Sequence, residues 1–172
     1  QRQMCIRDSI DDMANAVRFG MTCFDLQEME LAYAPPFSSA KDPVNMAGYV
    51  IGNVVEGLMK PFYIENLDQI PDAAIRLDVR TPEECAGGMI PGFINIPLDS
   101  LRERLNELDA GREVYITCQI GLRGYLAQRI LEQHGFRTWN LVGGYRLYDM
   151  TQKDLDAMAA IAGMCTECGK EI

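Results

Sequence analysis

The stretch Val114-Tyr115-Ile116-Thr117-Cys118-Gln119-Ile120-Gly121-Leu122-Arg123-Gly124 constrains this chain more than any other. Residues 113–117 have the β-branched and aromatic content of a buried strand. From Tyr125 to His134, Leu126, Ile130 and Leu131 recur on one helical face until Gly135 stops it, so a helix is expected over 124–134. Between them lies a short loop that opens on a cysteine and closes on an arginine. The amides of such a loop and of the first helical turn lack partners of their own, so they converge on whatever sits at the loop's centre, and the helix dipole favours negative charge there. Cys118 stands at the strand end facing that cradle, with Arg123 as the loop's cation. A depressed thiol pKa is the expectation. The dipole contributes roughly 0.3–2 kcal/mol, against about 1.4 kcal/mol per pKa unit. Gly121 and Gly124 suit a loop with inward amides, since glycine tolerates positive φ and close backbone approach.

The surrounding sequence alternates strand and helix signals. Strands are expected over 62–67, 74–79, 93–96, 113–117 and 138–142. Thr81-Pro82-Glu83-Glu84 reads as a capping box with proline at the first helical position, and Leu98, Leu101, Leu105 and Leu108 form one apolar stripe. This alternation implies an α/β fold, a parallel sheet with helices on both faces, whose ligands bind at the strands' carboxyl ends. Asp78 and Arg80 leave a strand at the same edge as Cys118, and bracing of the fold is preferred for them over direct chemistry. The only histidine, His134, ends a helix where its cation suits the dipole. Cys85 and Cys23 are read as core cysteines.

Cys118-Gln-Ile-Gly-Leu-Arg123 resembles the active-site loop of rhodanese sulfurtransferase domains. Upstream, Leu77-Asp-Val-Arg-Thr-Pro-Glu-Glu84 and Ile90-Pro-Gly-Phe-Ile-Asn-Ile-Pro97 are similar to the family's first signature region, and Leu141-Val-Gly-Gly-Tyr145 to its second. Met89 stands where such domains often carry a histidine. The resemblance covers residues 61–150 and implies a rhodanese-like sheet in which Cys118 carries sulfane sulfur as a persulfide. Arg123 would be a second catalytic residue, with Gln119, Ile120, Gly121, Leu122 and Gly124 forming the binding loop. Two other functions use similar parts. A cysteine phosphatase cradles phosphate in a Cys-x5-Arg loop, whereas four residues separate Cys118 from Arg123. A non-catalytic rhodanese-like binding module has no need of the cysteine, which is retained here.

Residues 10–60 read as a separate helical module. Ile10 to Phe19 and Asp25 to Leu31 have helical character, interrupted by Pro35-Pro36. Asp42 and Pro43 then cap a helix with Val44, Ala47, Ile51, Val54, Val55 and Leu58 at helical spacing. Gly48 and Gly52, four apart, would let another helix approach. The run from Asp25 to Tyr49 resembles the tail of the α+β dimerisation domain in flavin-dependent pyridine nucleotide-disulfide oxidoreductases of the coenzyme A-disulfide reductase and NADH oxidase group. That resemblance implies a homodimer, and FAD, NAD(P)H and coenzyme A as cofactors or substrates of the whole protein, none held by the residues present. Tyr33 and Tyr49 would line or pack near the partner's flavin. A tail of this type followed by a rhodanese domain is the order of fused reductase–rhodanese proteins. Residues 1–9 resemble a translated sequencing-adapter scar and are excluded from fold reasoning, with Cys5.

The remaining features bound the setting. A formal net charge of −9 argues against nucleic acid or anionic membranes as partners, and no apolar run approaches the ~20 residues of a membrane span. Six cysteines without a regular framework point to reduced thiols in a cytoplasm. Residues 151–172 are expected to form a helix ending in Cys165-Thr-Glu-Cys168, half of a metal site at most. The acceptor thiol would be coenzyme A or a flavin-domain cysteine. The donor is expected to be a low-molecular-weight persulfide, whose organic group Ile120 and Leu122 can contact.

Overall fold

The computed structural model describes residues 2–32 and 42–167, with side chains described over 7–32 and 42–159. Tyr33, Cys168 and the side chains of Cys5 and Cys165 therefore lie outside the described residues. The chain divides into two compact units, Gln1–Leu58 and Met59–Ile172.

The first unit contains α1 (Arg2–Phe19), α2 (Cys23–Glu28) and α3 (Pro43–Val55). Reciprocal capping boxes start α2, through Thr22 and Asp25, and α3, through Asp42 and Asn45. Ala16, Leu26 and Val44 form the small core. The face of α3 that packs is Val44, Asn45, Gly48 and Gly52. Of the expected apolar stripe Val44 is buried, while Ile51, Val54 and Val55 are exposed. The reason is steric and polar. A Cβ on Gly48 would stand 2.8 Å from the Cys23 carbonyl oxygen, so only glycine admits α2 this closely. Asn45 Nδ2 donates to the carbonyls of Leu26 and Met29 at 3.0 and 2.9 Å, satisfying groups that the end of α2 leaves open.

The second unit is a five-stranded, all-parallel sheet in the order β1-β5-β4-β2-β3. Its strands are β1 (Pro61–Phe62), β2 (Ile75–Asp78), β3 (Ile94–Asn95), β4 (Glu113–Thr117) and β5 (Arg137–Leu141). The helices are α4 (Pro82–Ala86), α5 (Leu122–Gln133) and α6 (Gly144–Glu167). Period-two alternation divides the core. Ile75, Leu77, Val79, Val114, Ile116 and Cys118 meet Ala127, Ile130 and Leu131 of α5 on one face. On the other, Phe62, Ile70, Phe93 and Leu141 pack with Tyr115, Trp139, Tyr145 and Tyr148. Tyr115 stacks on Trp139 with ring centroids 5.1 Å apart.

Four expectations are corrected. The strand beginning at Phe62 ends there, and Ile64–Gln69 is a 3₁₀ segment that turns both Ile64 and Leu67 toward the same core, which an extended strand cannot do. The leucine stripe forms two 3₁₀ turns, Leu98–Ser100 and Leu105–Glu107, rather than a helix, yet Leu101 and Leu108 are still buried. Helix α5 begins at Leu122, two residues earlier than expected. Helix α6 begins at Gly144, seven residues before the helix expected from residue 151. Among the described residues no helix is long and apolar enough to cross a membrane.

Candidate active site

Cys118 follows β4 at the sheet's carboxyl edge and is buried. Its Sγ accepts a hydrogen bond from the Gly121 N–H at 3.0 Å, so the loop curls back on the sulfur. Gly121 makes this curl with φ of 121°, a conformation side-chain-bearing residues rarely adopt. The first bond of α5 runs from the Tyr125 N–H to the Gly121 carbonyl at 2.9 Å. The N–H groups of Leu122, Arg123 and Gly124 are thus the open donors of the helix's first turn.

Two elements hold the loop from outside. Asn140 of β5, 2% exposed, donates from Nδ2 to the Gly121 carbonyl at 3.1 Å. Gly124 is required here for space, since a Cβ would lie 2.1 Å from Asn140 Oδ1. On the far side the Tyr145 and Arg146 N–H groups donate to the carbonyls of Cys118 and Gln119 at 2.7 and 3.1 Å. Gly144, with φ of 59°, brings α6 so near that a Cβ would lie 2.3 Å from the Cys118 carbonyl oxygen.

The charges beside the loop are paired. Arg123 was expected to help stabilise a thiolate at Cys118, which would lie within its field. Both terminal nitrogens of its guanidinium also bind Glu84, each at 2.7 Å. The two side chains are about equally half-buried, at 31% and 32% exposure. Glu84 also closes the Thr81 capping box of α4, accepting from the Thr81 N–H at 3.0 Å. The bonds from Arg123 and from the Thr81 N–H hold the Glu84 carboxyl down at about 2.

Asp78 and Arg80 form a fully buried ion pair at 2.7 Å. Arg80 also donates to the Gly88 carbonyl at 2.7 Å and to Gln119 Oε1 at 3.5 Å, and lies over the Tyr145 ring at 4.0 Å. It ties β2, the segment after α4, the loop and α6 together, which is a bracing geometry. Asp78 in turn accepts from the Arg80 N–H at 3.0 Å.

The remaining loop side chains differ in exposure. Gln119 is half-buried, while Ile120 and Leu122 are 61% and 64% exposed. Cys85 and Cys23 are half-buried rather than core residues. Burial, then the charge of Asp78, pushes the Cys85 thiol up. Tyr49 of the first unit is exposed. His134 caps α5, its Nδ1 lying 2.8 Å from the Ile130 carbonyl oxygen. Among the described residues no cluster of His, Cys, Asp or Glu could hold a metal ion. Sequence reasoning missed Glu84 and Asn140 as parts of the site. Glu84 was visible as a capping residue, but nothing in one sequence pairs it with Arg123.

The parallel α/β sheet thus presents at its carboxyl edge a buried cysteine whose sulfur is met by the Gly121 amide at the start of a helix. The Rhodanese-like domain family model matches residues 63–151, and the chain belongs to that family. It is 42% identical over 69 residues to a sulfurtransferase of Allochromatium vinosum, covering 40% of this chain and 64% of that protein. The crystal structure of reduced Bacillus anthracis CoADR-RHD is similar over 83% of this chain and 26% of its own, with TM-score 0.79 and 46% identity. An NAD-dependent persulfide reductase from A. fulgidus is similar over 80% of this chain and 24% of its own, with TM-score 0.69 and 38% identity. These two likenesses reach further than the residues from 63 onward can supply, so they take in part of the first unit, as a rhodanese domain joined to a reductase fragment would. The chain spans only 38% to 64% of the first three curated relatives it matches and about a quarter of the two solved structures.

Proposed function

We propose that Cys118 carries sulfane sulfur as a persulfide, and that the chain is the sulfurtransferase part of a FAD- and NAD(P)H-dependent coenzyme A-disulfide, persulfide or polysulfide reductase. The observation that carries the reading is the Gly121 N–H aimed at the Cys118 sulfur from 3.0 Å in a buried cradle. In the first half-reaction the Cys118 thiolate attacks the outer sulfur of a donor R–S–SH. The donor's S–S bond breaks, R–S⁻ leaves with the bonding pair, and a Cys118 persulfide forms. In the second, an acceptor thiolate attacks the outer sulfur of that persulfide and restores the Cys118 thiolate. Sulfur moves at constant total oxidation level, so neither half needs an external oxidant. Catalytic roles go to Cys118 and Arg123, and the amides of the 119–124 loop receive the persulfide anion. The donor is a small organic persulfide, and the acceptor is coenzyme A or a cysteine of the reductase.

The double-glycine strand-to-helix turn of the second unit, Gly143-Gly144, is followed by amides already given to the carbonyls of Cys118 and Gln119, which supports a reading in which no dinucleotide is held there. The flavin and nicotinamide sites therefore belong to the reductase, which would work as a cytoplasmic homodimer. The test is to expose the full chain to glutathione persulfide and locate the added sulfur by intact and peptide mass spectrometry. One sulfur on Cys118, absent in Cys118→Ser, is the expected result. Sulfur on another cysteine, with Cys118→Ser as active as the parent, would overturn the reading.

A further inference from the structure

The two arginines nearest the reactive loop are both neutralised by carboxylates. Arg80 is paired with Asp78 inside the protein, and Arg123 presents both terminal nitrogens to Glu84. Besides the paired Arg123, what meets an incoming anion is a set of backbone amides, which carry partial charges only. A third cation, Arg146, is joined to the loop through its backbone N–H on the Gln119 carbonyl, but it is exposed, where its charge is screened. Around this cradle stand the apolar side chains of Ile120 and Leu122, both mostly exposed.

A donor must shed water to reach a buried sulfur, and the penalty rises with its charge unless protein charges replace that water. Thiosulfate brings two negative charges on a compact body and releases sulfite, again a dianion. A persulfide brings at most one charge to the reacting end, together with an organic group suited to Ile120 and Leu122. Were Arg123 unpaired, its guanidinium would offer a planar fork to an oxyanion. Glu84 occupies that fork.

We infer that Glu84 is a specificity-determining residue of this site: by holding Arg123 in a bidentate pair it keeps the loop electrically near neutral and selects singly charged organic persulfides over dianionic donors such as thiosulfate. The inference rests on the sulfurtransferase reading of Cys118. The side chain also caps α4 through Thr81, which dictates the choice of variants. Glutamine serves equally in a capping box, so Glu84→Gln removes the charge and leaves the cap in place. Glu84→Asp keeps the charge and shortens the reach.

The experiment measures kcat/KM for loading Cys118 from thiosulfate and from glutathione persulfide, with Trp139 fluorescence verifying the fold of each variant. The parent prefers the persulfide. In Glu84→Gln the thiosulfate-to-persulfide ratio rises roughly tenfold, equivalent to about 1.4 kcal/mol for one unit of charge. Glu84→Asp stays within about threefold of the parent ratio, because charge rather than shape decides. An unchanged ratio in Glu84→Gln overturns the inference, as does an equal rise in Glu84→Asp. A ratio that follows Arg146→Ala and ignores Glu84→Gln transfers the discrimination to Arg146 and also overturns it. If neither donor loads Cys118 in any form of the protein, the sulfurtransferase reading itself falls, a result distinct from the others.

Discussion

Replacing Arg80 by methionine is expected to destabilise the second unit by about 3–5 kcal/mol, the usual consequence of leaving one member of a buried ion pair alone. The structure supports the upper part of that range. Asp78 is 0% exposed and Arg80 1%, so water cannot repair the loss. Beyond the ion pair, the Gly88 carbonyl loses a 2.7 Å charged donor and the Tyr145 ring loses its cation. Changing Asp78 to asparagine in the same chain removes the stranded charge yet keeps an oxygen to accept the residue-80 N–H, which Asp78 Oδ1 now binds at 3.0 Å. The double variant is therefore expected to recover about 2 kcal/mol of what Arg80→Met loses, a coupling that a double-mutant cycle reads directly. Trp139, the only tryptophan, lies on β5 and reports this unit, so urea titrations followed by its fluorescence give the midpoints without interference from the first unit. A loss below about 1 kcal/mol in Arg80→Met, or a double variant no better than the single one, would refute the account of Asp78–Arg80 as a buried brace.

Two further outcomes are expected. Gly144→Ala, which forces a Cβ to 2.3 Å from the Cys118 carbonyl oxygen at a φ of 59°, should lower stability by about 1–3 kcal/mol and slow persulfide loading at least tenfold; parent-like loading rates would show that α6 need not sit so close. The Glu84 carboxyl titrates at about 2 instead of 4.5, so its contribution is complete above the unfolded value and is lost as pH falls through the folded one. Allowing for its partial exposure, this is worth about 1–2 kcal/mol. The stability gap between the parent and Glu84→Gln should thus shrink by roughly 40% between pH 6 and pH 3.5, and a gap that is constant or grows contradicts the pairing.

The sheet was legible because alternation along β4 leaves little choice: Val114, Ile116 and Cys118 must share a face, and the α5 pattern that follows must cover it. The 3₁₀ turns were not, because leucines three or four apart at 98, 101, 105 and 108 satisfy an α-helix as well, and only packing decides between them. In α3 the apolar residues announced a demand for burial, whereas the face that packs is set by what can approach, Gly48 and Asn45. The Cys118 loop was readable from its local spacing, including the need for Gly121 and Gly124. Its external supports were not: Glu84 lies 39 residues from Arg123, and Asn140 lies 19 from Gly121. Such contacts depend on strand order, which no local pattern encodes.

The grip of α6 on the reactive loop has a consequence for what the loop can become. In a trans peptide the carbonyl and the following N–H point in opposite directions. Fixing the carbonyls of Cys118 and Gln119 on the Tyr145 and Arg146 amides therefore turns the N–H groups of Gln119 and Ile120 away from α6. The loop is a sorted row of dipoles, with acceptors on one side and donors on the other, and its sorting depends on residue count. An inserted residue would move one peptide out of register with α6 and reverse the order at that point. Enlarging the ring toward a phosphate-sized one thus requires rebuilding the start of α6 as well as lengthening the loop.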